Sequence, residues 1–281
     1  MNGWLQRVAG VWTLGFMVCM TTTSSHATTT VIHQPDVKSS AFLVIDESNN
    51  KILFSRNADE AAPIASITKL MTALVVLDAG QDLDEVVEIT RDDANLERTN
   101  VSRLAVGTKL TRGELMHLAL MSSENRAAHA LGRNYPGGLQ EAVKAMNAKA
   151  LELGMTRSRF VEPTGLSSLN VSTPEDLSKL VSAASHNATI RRYSTDESHV
   201  FTVGKRKLEF RSTDNLTRNS TWDILLQKTG YIKEAGRCLV MKARISGRNV
   251  VIVLLNSYGK YTRTADAARI KKWMEANIHT L

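Results

Sequence analysis

Two cysteines, five prolines and a 5% share of aromatic residues are what this 281-residue chain has least of. With Cys19 and Cys238 as its only thiols, the chain is not a disulfide framework. So few prolines, and no long low-complexity tract, leave no room for a Pro-rich linker or a fibrous repeat. Aromatic residues are too sparse to interleave with a basic stripe, so the net charge of +7 does not amount to a nucleic-acid footprint, and no nucleic-acid partner is expected. No apolar run reaches the roughly 20 residues that a spanning helix needs. What remains, 43% hydrophobic and 22% charged, describes a globular chain long enough for one large domain or two interleaved lobes.

The longest apolar stretch near the start, Val8 to Met20, follows Arg7, the only charge before Asp36. Ser25-His26-Ala27 then offers small residues at cleavage-type positions, so residues 1–27 read as an export signal cut after Ala27, and no stable membrane anchor is expected. Val18 precedes Cys19, where a lipoprotein signal would place a small residue. Cleavage leaves 281 − 27 = 254 residues, a charge of 34 − 28 = +6, and Cys238 as the single thiol, expected to be a small buried apolar group. Residues 28–281 are expected to form one domain, with Thr28 to Ser40 polar and frayed.

Ala41-Phe-Leu-Val-Ile45 and Lys51-Ile-Leu-Phe-Ser55 predict a strand pair around Asn49-Asn50. Helical periodicity then dominates, over 66–79, 112–121, 124–131, 139–153 and 174–185. Strand patterns return at 200–203, 207–210, 225–229, 238–245 and 249–255, followed by a closing helix over 263–276 with Ile270, Trp273 and Met274 on one face. Strands at both ends with helices between predict an α/β fold of the α+β type: an antiparallel sheet assembled from the two chain ends, flanked by helices, with a mainly helical lobe inserted at about 66–185.

The chemistry concentrates where the first helix begins. In Pro63-Ile-Ala-Ser-Ile-Thr-Lys-Leu-Met-Thr-Ala, Ser66 and Lys69 stand three residues apart, one turn on one helix face. An amine can there reach a hydroxyl and act as its base, once burial and nearby positive charge favour its neutral form. The spacing alone is weak, since Ser48 to Lys51 and Ser257 to Lys260 repeat it, but those lie in turns that would not hold the pair in register. Ser123-Glu-Asn125 follows 57 residues later between two helical runs, and Lys228-Thr-Gly230 stands 105 residues beyond, at the end of an apolar strand. Ser-x-Asn is common in this chain, whereas Lys-Thr-Gly occurs once. Order and setting together carry the signal.

Those three motifs match the known signature of penicillin-binding proteins and class A β-lactamases, departing from it only at the variable middle position of Ser-x-Asn, where Glu124 sits. With Leu118-Ala-Leu-Met-Ser-Ser-Glu-Asn-Arg-Ala-Ala, Arg159-Phe-Val-Glu-Pro-Thr-Gly-Leu-Ser and Ala235-Gly-Arg-Cys-Leu-Val-Met, the chain closely resembles low-molecular-mass penicillin-binding proteins of the D-alanyl-D-alanine endopeptidase type, the penicillin-binding protein seven group. The resemblance spans nearly all of the chain after residue 27 and implies a β-lactamase/transpeptidase-like fold. It also implies a serine endopeptidase or carboxypeptidase acting on cross-linked peptidoglycan peptides in the periplasm, covalently inhibited by β-lactams.

Carried over, the resemblance makes Ser66 the acylated nucleophile, Lys69 its base and Ser123 the proton relay toward the leaving amine. Asn125 would hold the substrate backbone and Lys69. Lys228 would add positive charge, Thr229 would bond a substrate carboxylate, and Gly230 would let the substrate lie along the strand as an added partner. The main-chain N–H groups of Ser66 and Tyr231 would form an oxyanion hole, where one donor is worth about 2.7–4 kcal/mol. No cofactor is implied.

Other residues attract attention without joining this set. Glu162-Pro163 resembles the position of a lactamase deacylating glutamate, but the following Thr-Gly-Leu-Ser departs from that pattern, so Glu162 is expected to pack its loop. His129, inside a helix, is expected to be structural, and the histidine spacings suggest no metal site. The alternatives to a peptidase are a class A-like β-lactamase and a non-catalytic penicillin- or wall-binding module.

Overall fold

The computed structural model describes residues 34–95 and 102–277; the expected export signal and its cleavage point lie outside the described residues. In chain order the elements are β1 (Ala41–Asp46), β2 (Lys51–Arg56), β3 (Ala62–Pro63), α1 (Thr68–Asp78), β4 (Val86–Glu88), α2 (Arg91–Ala94), β5 (Lys109–Thr111), α3 (Arg112–Met121), α4 (Asn125–Arg133) and α5 (Leu139–Glu152). There follow β6 (Val171–Ser172), α6 (Pro174–Ser185), α7 (Ala188–Thr195), β7 (Ser198–Val203), β8 (Arg206–Arg211), β9 (Asp223–Ile232), β10 (Gly236–Ile245), β11 (Arg248–Ser257) and α8 (Thr262–Asn277).

Five strands form one antiparallel sheet in the order β2-β1-β11-β10-β9, so the two ends of the chain do meet in its middle, with Leu43 opposite Val253 and Val44 opposite Ile252. The unbroken apolar run Val250 to Leu255 has a simple cause: this sheet is buried on both faces. Alternation of side chains sends Leu43, Val251, Val253 and Leu255 into the core shared with α1, α3, α4 and α6. It sends Phe42, Val44, Ile252 and Leu254 against Ile270 and Met274 of α8.

Three features depart from the sequence reading. The stretch 34–40 is not frayed. Asp266 of α8, fully buried, accepts hydrogen bonds from the main-chain N–H groups of Lys38 (3.0 Å) and Ser39 (2.8 Å) and from the Ser39 hydroxyl (2.6 Å), and Val37 is buried in the α8 core. A polar sequence can be tightly held when a distant carboxylate supplies its acceptor. Second, α7 was not anticipated. Its eight residues bury only Ile190, Tyr193 and Ser194, too short a stripe to register as periodicity, although Asn187 caps it through Thr189 and Ile190 N–H. Third, the two-residue pair β3/β6 is invisible to any pattern, yet it fixes the chain just before Ser66.

Cys238 is fully buried on β10 opposite Gly230, and burial pushes its thiol up to about 11, so it behaves as the small apolar residue its strand setting predicts. His129 is likewise buried, its Nδ1 2.6 Å from Asp93, whose carboxylate also takes two bonds from Arg133. Burial would raise the pKa of Asp93, but these partners outweigh it and hold the carboxyl well below its usual range.

Candidate active site

Ser66 lies in a single 3-10 turn, Ala65–Ile67, that runs directly into α1. The helix start expected at residue 66 is therefore this tighter turn. Ile64, Ala65 and Ile67 are fully buried around it, and Ile64 N–H is fixed to Asn170 O at 3.1 Å. Ala65 takes a left-handed backbone (φ +48°), a conformation unfavourable for alanine that persists because its surroundings hold it. The result is a half-buried hydroxyl on a turn whose neighbours are fully buried.

Lys69, one turn on, is 1% exposed. Its Nζ donates to Asn125 Oδ1 at 2.7 Å, to Thr164 O at 2.6 Å and to Ser66 Oγ at 2.9 Å. Asn125 Oδ1 and Thr164 O can only accept. In a neutral amine those two bonds consume both N–H groups, and the lone pair is left facing the Ser66 hydroxyl. The geometry thus sets the amine up as a base toward one proton.

Ser123 follows α3 and also has a left-handed backbone (φ +59°). Glu124 then caps α4, its Oε1 accepting from Arg126 N–H (3.3 Å) and Ser102 Oγ (2.7 Å), which fixes Asn125 as the first helical residue. The middle residue of the Ser-x-Asn motif, which motif reading treats as variable, is here a positioning group for its neighbour.

The third motif lies on β9, the outer strand of the sheet. A side chain at Gly230 would bring its Cβ to 3.0 Å from Ile64 O and 3.1 Å from Ser66 N. The bare glycine therefore serves first to let the strand approach the Ser66 turn, a reason the sequence did not supply. Thr229 Oγ1 bonds Thr213 Oγ1 at 2.6 Å. Tyr231 is 58% exposed, its ring under the Arg237 guanidinium. Lys228 is fully enclosed, with Nζ bonded to Thr229 O at 2.9 Å, so its charge reaches the cleft as a field and not as a contact. Burial, then the charges of Lys69 and Arg263, hold it well below the usual lysine range, with Asp214 opposing.

Ser66, Ser123, Asn125, Thr229, Gly230 and Tyr231 line one cleft of about 250 Å³, joined by Leu166, Thr213 and Arg263. Arg263 is the group that motif reading missed. It comes from α8, and its Nη1 bonds Gly230 O (2.9 Å) and Cys238 O (3.1 Å), clamping β9 to β10 beside the cleft. The Arg263 guanidinium beside the cleft and the Lys69 and Lys228 amines behind it, with Asp214 as the near counterweight, give the cleft a basic interior suited to an anion. That donor set fits a carboxylate and not a metal ion.

Glu162 organises the fourth wall. Its Oε2 accepts from Thr164 N–H and Oγ1 (both 2.6 Å), and its Oε1 from Gly165 N–H (2.6 Å), Asn170 Nδ2 (2.8 Å) and Ser167 N–H (3.3 Å). Through this loop Thr164 O meets Lys69, and Gly165 packs on the Ser66 turn. Both oxygens are saturated with donors, which leaves no lone pair for activating water. Glu162→Gln would turn a carboxylate oxygen into a donor facing donors. It is expected to cost about 2–3 kcal/mol in a denaturant melt and to slow acylation by a fluorescent penicillin, with hydrolysis of the adduct unaltered. Selective slowing of that hydrolysis would instead make Glu162 a catalytic base.

Comparison with known proteins follows the same outline. The family model described as D-alanyl-D-alanine carboxypeptidase matches residues 28–259. A D-alanyl-D-alanine endopeptidase of Pseudomonas aeruginosa is 48% identical over 244 residues, covering 86% of this chain and 79% of that protein. The protein of the same description from Escherichia coli is 43% identical over 251 residues, covering 89% and 81%. Among solved structures, the Streptomyces K15 DD-transpeptidase superposes with a TM-score of 0.80 at 26% identity, over 87% of this chain and all of that one. A D-alanyl-D-alanine carboxypeptidase from Mycobacterium tuberculosis gives 0.79 at 29%, over 86% and 92%.

Proposed function

Because the chain belongs to the D-alanyl-D-alanine carboxypeptidase family of serine peptidases, we propose that it is a DD-endopeptidase opening the peptide cross-links of peptidoglycan through an ester on Ser66. The observation that carries this reading is the Lys69 amine, 2.9 Å from Ser66 Oγ with its other two bonds fixed on Asn125 and Thr164. Lys69 takes the hydroxyl proton as Oγ attacks the D-alanine carbonyl carbon, and the oxyanion settles on the N–H groups of Ser66 and Tyr231. Ser123 passes a proton to the departing amine of the diamino acid, and water then hydrolyses the ester.

The free carboxylate beside that amine is the anion the cleft is charged for, held by Thr229, Thr213 and Arg263 and attracted by the enclosed Lys228. The donor peptide lies along the open edge of β9 as an added strand. β-Lactams, mimicking the D-alanyl peptide, acylate the same oxygen. The saturated Glu162 weighs against the lactamase alternative, which needs a free carboxylate there. The endopeptidase reading, over the carboxypeptidase one, rests on the Pseudomonas and Escherichia relatives.

Residues 28–281 act on this reading as one catalytic domain, exported to the periplasm by the segment before it. Among the described residues no helix is long and apolar enough to cross a membrane. The test uses purified muropeptides separated by chromatography. Conversion of cross-linked dimers to monomers supports the proposal. Release of terminal D-alanine alone makes the protein a carboxypeptidase, rapid penicillin turnover makes it a lactamase, and stable labelling without any cleavage makes it a binding module.

A further inference from the structure

A second cluster of chemically capable side chains lies outside the groove just described. His117 from the middle of α3, Asp196 at the end of α7 and His199 on β7 bring one ligand atom each to within 4.8 Å of one another. They line a cleft of about 390 Å³. His117 is 5% exposed, and its Nε2 sits 2.9 Å from Asp196 Oδ2 without forming a well-directed hydrogen bond. A buried ring nitrogen that lacks a hydrogen bond is costly unless something else occupies its lone pair. The ring itself cannot turn away. It stacks on Tyr193 at 4.4 Å with planes 9° apart, and its edge packs on Phe201 at 5.2 Å.

We propose that His117, Asp196 and His199 form a binding site for a divalent transition-metal ion of the zinc class, with water completing a four-coordinate shell. Two imidazoles and one carboxylate make a donor set that such ions accept, and tetrahedral ligand atoms stand about 3.4 Å apart. To reach that value the His117–Asp196 pair, now 2.9 Å apart, would open slightly, and His199, the most exposed of the three, would swing inward. Arg192 opposes the ion's charge, while Asp84 and Glu114, on the wall of the same cleft, offset it. Spacing rules could not find this site, because its ligands come from three elements.

The ion would pin α7 and β7 onto α3, three pieces that support the groove. Met121, the last residue of α3, accepts from Thr213 N–H (3.1 Å), Ser194 of α7 accepts from Gln227 beside Lys228 (2.7 Å), and Glu197 accepts from Ser212 N–H (2.8 Å). The inference does not depend on which bond the enzyme cuts.

The test is titration of chelator-treated, dialysed protein with Zn²⁺ by calorimetry and with Co²⁺ by visible absorption. The expected result is one equivalent bound, a four-coordinate Co²⁺ spectrum, and a raised melting temperature with Zn²⁺. His199→Ala and Asp196→Asn should each weaken binding by about 100-fold or more, while His186→Ala leaves it unchanged. His199 is exposed, so its variant should fold, and penicillin labelling confirms that it has. Absence of saturable binding, or binding that survives in a folded His199→Ala or Asp196→Asn protein, would overturn the proposal and leave the cluster as aromatic packing alone.

Discussion

A Ser66→Ala protein is expected to melt with the wild type yet form no adduct with penicillin and cleave no muropeptide dimer. The hydroxyl is half-buried, and Lys69 Nζ, which bonds it, keeps Asn125 Oδ1 and Thr164 O as acceptors. Its removal therefore costs the fold little. The reaction loses its only route to an ester, and a fall in turnover of about 10⁶ is the scale on which such nucleophiles act in serine peptidases. Lys69→Met, which keeps the stem and removes the amine, should lower acylation by about 10⁴ or more and also destabilise the protein, since Asn125 Oδ1 and Thr164 O lose a buried donor. Serine and lysine act as one unit, so the double variant should be no slower than Ser66→Ala. Mass spectrometry of drug-treated protein decides the matter: an adduct persisting in Ser66→Ala would move the nucleophile elsewhere.

Gly165→Ala is expected to damage the same reaction without touching a reacting atom. At Gly165 (φ +84°) a Cβ would fall 2.0 Å from Ala65 O, 2.3 Å from Ala65 C and 2.7 Å from Ser66 N, all main-chain atoms of the nucleophile turn. No rotamer relieves such a clash, so the turn or the loop must shift by about 1 Å, a displacement that costs on the order of 10²-fold in rate. Gly247 provides the control. It shares the left-handed backbone (φ +81°), but a Cβ there meets nothing, so Gly247→Ala should show only the strain of about 1–2 kcal/mol. Stopped-flow acylation and thermal melts on the two variants separate the effects. Wild-type acylation by Gly165→Ala would mean that loop packing does not hold Ser66.

Much of this site is legible in the chain because three short motifs place chemistry where helix or strand begins or ends, and the structure brings Ser66, Lys69, Ser123, Asn125 and Lys228 to Tyr231 together around one cleft or directly behind it. The sheet was legible for a similar reason: a run such as Val250 to Leu255 has few homes other than a strand covered on both faces. What could not be read depends on contacts between remote segments. Arg263 belongs to the site only because α8 passes the end of β9 and β10. Asp266 orders the stretch before β1 from the other end of the chain. Glu162 could be assigned to its loop by the residues after it, but not that Thr164 in this loop would hold the Lys69 amine. Each of these is fixed by tertiary geometry, to which no local period corresponds.

The sheet order has a consequence for the moment of synthesis. Strand β1 pairs on one side with β11, and the Ser66 turn leans on β9 and, through it, on Arg263, so a polypeptide that emerges amino end first carries its nucleophile long before the walls that make it reactive. Contacts this remote in sequence close late. A hydrolase built this way stays inactive while it is still being made, because the reactive cleft is complete only once the final helix is in place.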